Sequence, residues 1–357
     1  MSLVVTGGLG FLGIETAMSA LRRGSVWSPM FKRVVPLKKL TLFDVPAALR
    51  ADGEGIPAEL RADDRVRVVT GDLSEAGIAA EVIDEEDLSV VHLASMVSGD
   101  TEADPDRGWH VNVEGQRALL EAIRTRAPGA RFLFTSSTAT LGSSGTDRCS
   151  DAPANDATKL VPGNTYGFHK AVCELMINDY SRRGWVDARG LRLPVIVVRP
   201  GAPNAALTGA WSTVVREPLR GVDTIVPVPM DVRLPVASYQ TVSAAVHAML
   251  HEVDSAQLGA DRTFMLPSLS LSPGELYDAA ARFAAARGLP IARARARAEE
   301  VATRIVSGMG AASDGSRAAK LGIPRDESAD SIVEAYAREH VLPLLDPPAG
   351  PPAGQHA

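Results

Sequence analysis

Tyr166 and Lys170 stand four residues apart in Tyr166-Gly167-Phe168-His169-Lys170, a spacing that places both side chains on one face of a helix. A free phenol titrates at about pH 10 and is a poor base at neutral pH. A neighbouring ammonium favours the phenolate and lowers that value. Such a pair can take a proton from a hydroxyl group. Alone it is a common chance pattern, and an exposed helical lysine is its ordinary meaning. Here it has company. Upstream, Phe134-Thr135-Ser136-Ser137-Thr138 ends an apolar run with a cluster of hydroxyls. Ser137 is the first choice to hold a substrate oxygen, with Ser136 and Thr138 as alternatives and strand-end capping as the ordinary role. Downstream, Arg199-Pro200-Gly201 closes another apolar run.

A second group of residues suits a phosphate ligand. Thr6-Gly7-Gly8-Leu9-Gly10-Phe11-Leu12-Gly13 follows the apolar Leu3-Val4-Val5 and opens a helical pattern. Glycines let the backbone approach a pyrophosphate, and a helix N-terminus supplies N–H groups with a positive dipole end. The turn therefore reads as a dinucleotide site built on Gly7, Gly10, Phe11, Leu12 and Gly13. Asp44 ends the next apolar run, where a carboxylate accepts from ribose hydroxyls and repels a 2′-phosphate, favouring NAD over NADP. Capping of the following turn is its competing role. His92-Leu93-Ala94-Ser95 ends a further run, and the small residues let a cofactor pass closely; His92 itself reads as a packed strand residue. Lys170 would also bond the nicotinamide ribose.

These groups need a scaffold that gathers the ends of strands. Apolar runs at 3–5, 39–43, 66–69, 89–93, 131–135 and 195–198 alternate with helical patterns at 12–23, 113–126 and 166–183. Strands alternating with helices imply parallel βαβ units, and nearly unbroken apolar strands imply a sheet covered on both faces. The expected fold is α/β, a Rossmann-type doubly wound parallel sheet with a smaller C-terminal substrate-binding part. The nucleotide-binding domain is expected over 1–202, with 233–266 returning to it. The substrate part takes 203–232 and 267–345, and the Pro/Gly/Ala-rich 346–357 reads as a disordered tail. The stretch 24–39, with Trp27, Pro29 and Pro36, reads as an irregular insertion.

Composition narrows the function class. Hydrophobic residues make up 45% and charged residues 22% of the 357, which excludes wholesale disorder. Lys and Arg total 37 against 43 Asp and Glu, so the basic excess of a nucleic-acid binder is missing. Two cysteines, Cys149 and Cys173, show neither metal-ligand spacing nor a disulfide framework, and no metal is expected. With no signal-peptide pattern and no spanning apolar run, the expectation is a cytoplasmic protein that works on neither nucleic acid nor membrane.

Taken together, the glycine turn, the Ser137 cluster and the Tyr166/Lys170 pair resemble the extended short-chain dehydrogenases/reductases, the group of NAD-dependent epimerases and dehydratases. The resemblance runs from Leu3 to about Leu344. It implies a catalytic set of Ser137, Tyr166 and Lys170, with NAD as cofactor. Asp72, in Gly71-Asp72-Leu73, would reach the adenine edge, with Leu73 and Pro200 beside the cofactor. It also implies a homodimer, pairing the helices of about 109–126 and 166–183 through Ala118, Leu119, Ala122, Val172, Leu175 and Met176.

Within the family, the segments Val97-Ser98-Gly99, Asn178–Gly184, Leu191–Pro194, Arg199–Asn204, Arg216–Leu219 and Pro227–Pro229 are most similar to members that oxidise the 2-hydroxyl of four-carbon sugar acids. An acid substrate needs a cation, ideally a bidentate arginine. Arg216 or Arg233 could supply it, while Ser98 and Asn204 could bind hydroxyls. No aromatic platform for a nucleotide base is evident after Gly201. An epimerase or dehydratase acting on nucleotide sugars, with tightly held NAD, is the alternative. A non-enzymatic NAD sensor is the second alternative, disfavoured because Tyr166 and Lys170 are both present.

Overall fold

A computed structural model describes residues 1–49, 55–141, 153–201 and 207–345. The chain forms two compact units. The first holds Met1–Pro194, Thr241–Ser268 and Ala312–Arg325, and the second holds Val195–Gln240, Leu269–Ala311 and the chain from Asp326 onward.

The first unit is built on a seven-stranded sheet of β1 (Ser2–Thr6), β4 (Lys39–Asp44), β5 (Val66–Thr70), β6 (Leu88–His92), β7 (Arg131–Ser137), β8 (Asp187–Leu193) and β12 (Thr263–Met265). Every pairing in it is parallel, in the order β12-β8-β7-β6-β1-β4-β5. The chain starts in the middle, winds outward to β5, then crosses to β6 and winds the other way. That reversal between β1 and β6 opens a crevice at the carboxyl ends of the strands, where sheets of this kind bind ligands. The expected doubly wound sheet is therefore present. β1 and β6 are buried along their whole length, as strands covered on both faces must be. Leu88, Val90, Phe132 and Phe134 pack in one core with Leu120 and Ile177. These last two come from α2 (Gly115–Arg126) and α3 (Thr165–Arg182). Between β1 and β4 runs α1 (Phe11–Arg23), closed by Gly24 at φ 63°.

Three features differ from the sequence expectations. The stretch 24–39 is a regular antiparallel hairpin of β2 (Ser25–Ser28) and β3 (Arg33–Pro36), not an irregular insertion. Trp27 fixes it, with the Arg131 guanidinium 3.6 Å from its ring centroid and its backbone N–H donating to His251 Nδ1 at 3.0 Å. The sheet strand after α3 is Asp187–Leu193, not Val195–Val198. Its apolar pattern is broken by Arg189 and Arg192, buried arginines made tolerable by carboxylate partners. Third, α2 is preceded by the helix Pro105–Trp109 and a π-helical turn at His110–Glu114, so helical structure begins well before Val113.

In the second unit, β9 (Val195–Val197) pairs parallel with β11 (Leu234–Ser238), and β11 pairs antiparallel with β13 (Leu269–Leu271). β10 (Thr224–Val226) pairs with β14 (Ala294–Ala296). Helix α6 (Pro273–Ala286) packs against both α4 (Ala210–Leu219) and α8 (Ala329–His340), and Trp211 of α4 and Tyr336 of α8 are fully buried. The remaining long helices are α5 (Tyr239–His251) and α7 (Glu300–Gly308). Because β9 and β11 pair with each other, the chain leaves the first unit at 194 rather than 202 and returns at 241 rather than 233. It returns again at 312–325. The tail 346–357 lies outside the described residues. Among the described residues, no helix is long and apolar enough to cross a membrane.

Candidate active site

The glycine turn follows from steric necessity at three positions. A Cβ on Gly7 would lie 2.8 Å from the Ala94 nitrogen, one on Gly8 2.7 Å from the Val5 carbonyl, and one on Gly13 2.1 Å from the Gly7 carbonyl. Gly10 differs: its Cβ would meet only the Gly7 carbonyl, at 3.3 Å. Protein atoms do not demand a glycine there, but a ligand backed against the turn would. Gly10 caps α1 without a side chain, and the first turn, which includes Phe11 and Leu12, carries no acidic group. The N–H groups and dipole end of α1 thus suit a pyrophosphate. Asp44 is not displaced by the hairpin. Its Oδ2 accepts from the Leu9 N–H at 3.0 Å, inside the turn, and its Oδ1 from the Val45 N–H at 2.8 Å. A carboxylate has further lone pairs for a ribose hydroxyl. The residues present fit NAD.

At the end of β5, beyond β4, Asp72 Oδ1 accepts from Ser74 N and Oγ at 2.9 and 2.5 Å, so it caps its own turn. The Leu73 side chain belongs to the core, leaving only its backbone to face a ligand. Ser95 and the loop after β6 are held by Asn112, which sequence reasoning missed. Its Oδ1 accepts from the Met96 N–H at 2.7 Å and the Ser95 hydroxyl at 3.2 Å, and its Nδ2 donates to the Met96 carbonyl at 3.1 Å. The π-helical turn carries this residue; a lone Asn in a helical pattern gave no signal. His92 is a packed strand residue, as expected. Thr6 Oγ1 lies 2.7 Å from its Nδ1, and burial, then the Lys170 ammonium, pull its pKa down to about 3.

Tyr166 enters on the first turn of α3, which Asn164 caps by accepting from the Gly167 N–H at 2.7 Å. Gly167 is required: a Cβ there would lie 2.2 Å from the Ala139 carbonyl. That close approach brings the start of α3, and Tyr166 with it, against the turn that follows Ser137. Lys170 is 3% exposed, donates to the Thr135 carbonyl at 2.8 Å, and sits 5.6 Å from the Tyr166 ring centroid. Burial pulls its pKa down to about 8, against upward pushes from Cys173 and Glu174. Of the three hydroxyls, Ser136 is consumed: it is buried and donates to Glu174 at 2.5 Å. Ser137 is half-buried and accepts from the Ala139 N–H at 3.1 Å, and Thr138 is half-buried beside it.

The substrate candidates are more dispersed. Ser98 opens the short helix Ser98–Ala103 and is exposed. Pro200 follows β9, which pairs with β11 rather than with the central sheet. Arg216 is buried, with Nε 2.6 Å from Glu217 and Nη1 donating to the Arg199 carbonyl at 2.7 Å. Arg233 is exposed, ion-paired with Glu275 at 2.6 Å and bonded to the Ser270 carbonyl. Asn204 and Cys149 lie outside the described residues.

Known proteins resemble this chain along its length. The profile described as the NAD dependent epimerase/dehydratase family matches residues 3–262. D-erythronate dehydrogenase from Cupriavidus necator is 40% identical, covering 95% of this chain and 98% of its own. D-erythronate dehydrogenase from Haemophilus influenzae is 36% identical, covering 78% and 81%. The crystal structure of a nucleoside-diphosphate-sugar epimerase from Agrobacterium tumefaciens superposes with a TM-score of 0.82, at 31% identity over 95% of this chain and 94% of that one.

Proposed function

The chain belongs to the NAD-dependent epimerase/dehydratase family and is an NAD-dependent dehydrogenase of the extended short-chain type; from that premise we propose that it oxidises the C2 hydroxyl of D-erythronate to the 2-oxo acid. The observation that carries the substrate is the 40% identity to the C. necator D-erythronate dehydrogenase along 95% of the chain.

NAD, when bound, supplies the hydride acceptor. Tyr166, as phenolate, takes the proton of the C2 hydroxyl. Ser137 Oγ holds that hydroxyl, with Thr138 as its neighbour. The charged Lys170 favours the phenolate and bonds the nicotinamide ribose. Gly7, Gly10, Phe11, Leu12 and Gly13 receive the pyrophosphate, Asp44 the adenosine ribose, and Asp72, the Leu73 backbone, Leu93, Ala94 and Ser95 line the remaining cofactor path. Of the two arginines, Arg233 is the better carboxylate ligand, because Arg216 is buried among its own partners while Arg233 is exposed and can exchange its contacts with Glu275 and Ser270. Ser98 binds a further substrate hydroxyl.

The enzyme works in the cytoplasm as a homodimer formed through α2 and α3. Leu175, 63% exposed, supports this interface, whereas Leu119 and Ala122 are buried inside the protomer and take no part. The test of function is incubation with NAD and a panel of four-carbon sugar acids, followed by NADH absorbance. D-erythronate should give the highest kcat/KM. Silence toward every sugar acid, with tight retention of NAD and turnover of a nucleotide sugar, would overturn the assignment.

A further inference from the structure

We propose that Glu174 is a positioning residue of this oxidation: with Arg192 it fixes the end of β7, so that Ser137 stands in register with Tyr166 and Lys170. The inference rests on the roles assigned to those three residues. Lys170 and Glu174 lie one turn apart on α3 and reach consecutive residues of β7. Lys170 Nζ donates to the Thr135 carbonyl at 2.8 Å, and Glu174 Oε1 accepts from the Ser136 hydroxyl at 2.5 Å. Ser137 comes next. Arg192 is the register partner of Ser136 on β8 and closes on the same carboxylate, Nε to Oε1 at 2.9 Å and Nη2 to Oε2 at 2.8 Å. Ser136, Glu174 and Arg192 are all buried, at 2–3% exposure.

One carboxylate therefore ties a helix and two strands together at the residue before the hydroxyl that must meet the substrate. Three donors converge on it, and only an ionised carboxylate offers acceptors alone. Arg192 depends on it too: its Nη1 has no hydrogen-bond partner, and Asp156 is 4.0 Å away. The charge of Glu174 also reaches Lys170. That ammonium faces His92 from β6, the Thr135 carbonyl from β7, and Tyr166, Cys173 and Glu174 on its own helix. Among these, Cys173 and Glu174 oppose the desolvation that drains its proton.

The test compares Glu174→Gln with the double variant Glu174→Met/Arg192→Met. In Glu174→Gln, the amide N–H2 confronts the guanidinium. We expect kcat to fall roughly 10- to 100-fold, the scale of a small misplacement of reacting groups, with the KM for NAD nearly unchanged. The alkaline limb of kcat/KM should move to lower pH, because Lys170 loses a supporting charge. Replacing a buried ion pair by apolar residues often preserves stability, so the double variant should recover the wild-type Tm yet keep the low kcat. A merely structural role would restore kcat together with Tm. Wild-type kcat in the double variant, or an unchanged rate and pH profile in Glu174→Gln, overturns the inference. Tyr166→Phe assayed alongside separates the two levels. If it is inactive while the Glu174 variants are normal, only Glu174 falls; if it is active, the catalytic assignment falls and takes the inference with it.

Discussion

The central sheet buries charge at both ends of its strands, and the two ends put it to different use. At the amino end, Asp187 gathers Arg189 and Arg262 at 2.5 Å each and Arg131 at 3.3 Å. Further guanidinium hydrogens go to carbonyls at and just beyond the end of α5: Met249 at 2.6 Å, Leu250 at 2.7 Å and Val253 at 2.9 Å. Carbonyls at a helix end lack intrahelical partners, so this cluster caps α5 and binds it to β7 and β8. Burial, then the nearby Arg189, lowers the pKa of Arg131 to about 10, which leaves it charged at neutral pH. At the carboxyl end, Lys170 is equally buried but has one carbonyl and a carboxylate one turn away, and its pKa falls to about 8. Burial of a cation alone does not mark a site. What separates the ends is a pKa within reach of the working pH, beside a group that can exchange a proton.

The strongest way to break this contrast is Asp187→Ala. It strands three buried guanidiniums, and loss of one partner of a buried pair typically costs about 3–5 kcal/mol. Denaturant unfolding should show that loss, while the KM values of the folded enzyme stay at wild type. A change in KM with intact stability would mean that the amino end is functional.

A smaller effect sharpens the carboxyl end. The charged form of Lys170 is lost as pH rises through about 8, lower than for an exposed lysine because burial disfavours the ammonium. The kcat/KM of the free enzyme should therefore decline above about pH 8, roughly tenfold per pH unit once the lysine is neutral. A profile flat to pH 10 would remove the distinction between the two ends. The smallest effect concerns the cofactor. NAD should be preferred over NADP, and Asp44→Ala should narrow that preference by about 1 kcal/mol, the scale of a partly solvated charge contact. Comparing kcat/KM for the two cofactors reads it, and a wild-type preference for NADP would contradict it.

What could be read from the sequence was whatever local chemistry dictates. Of the glycines read as the turn, those at 7 and 13 are forced by close backbone contacts, and the Tyr166/Lys170 spacing is fixed by helical geometry. The alternation of β1, β4, β5, β6 and β7 with helices followed from unbroken apolar runs. What escaped depends on partners distant in sequence. β8 was hidden because Arg189 and Arg192 look like surface residues until Asp187 and Glu174 are brought to them. Glu174 stood in view four residues after Lys170, but its meaning lies in Arg192, on that unrecognised strand. Asn112 acts through a π-helical turn that has no sequence signature here. Arg216 has the right chemistry for an anion, yet Glu217 and the Arg199 carbonyl already hold it.

The central claim is that proton transfer occurs at the carboxyl end of β7, on Tyr166. The most direct test is the pre-steady-state rate of NADH formation from D-erythronate by Tyr166→Phe, with NAD affinity measured on the same variant. The ring stays and only the hydroxyl is lost, so NAD affinity should hold while the rate falls by about 100- to 10,000-fold. A near wild-type rate at unchanged NAD affinity would contradict the account.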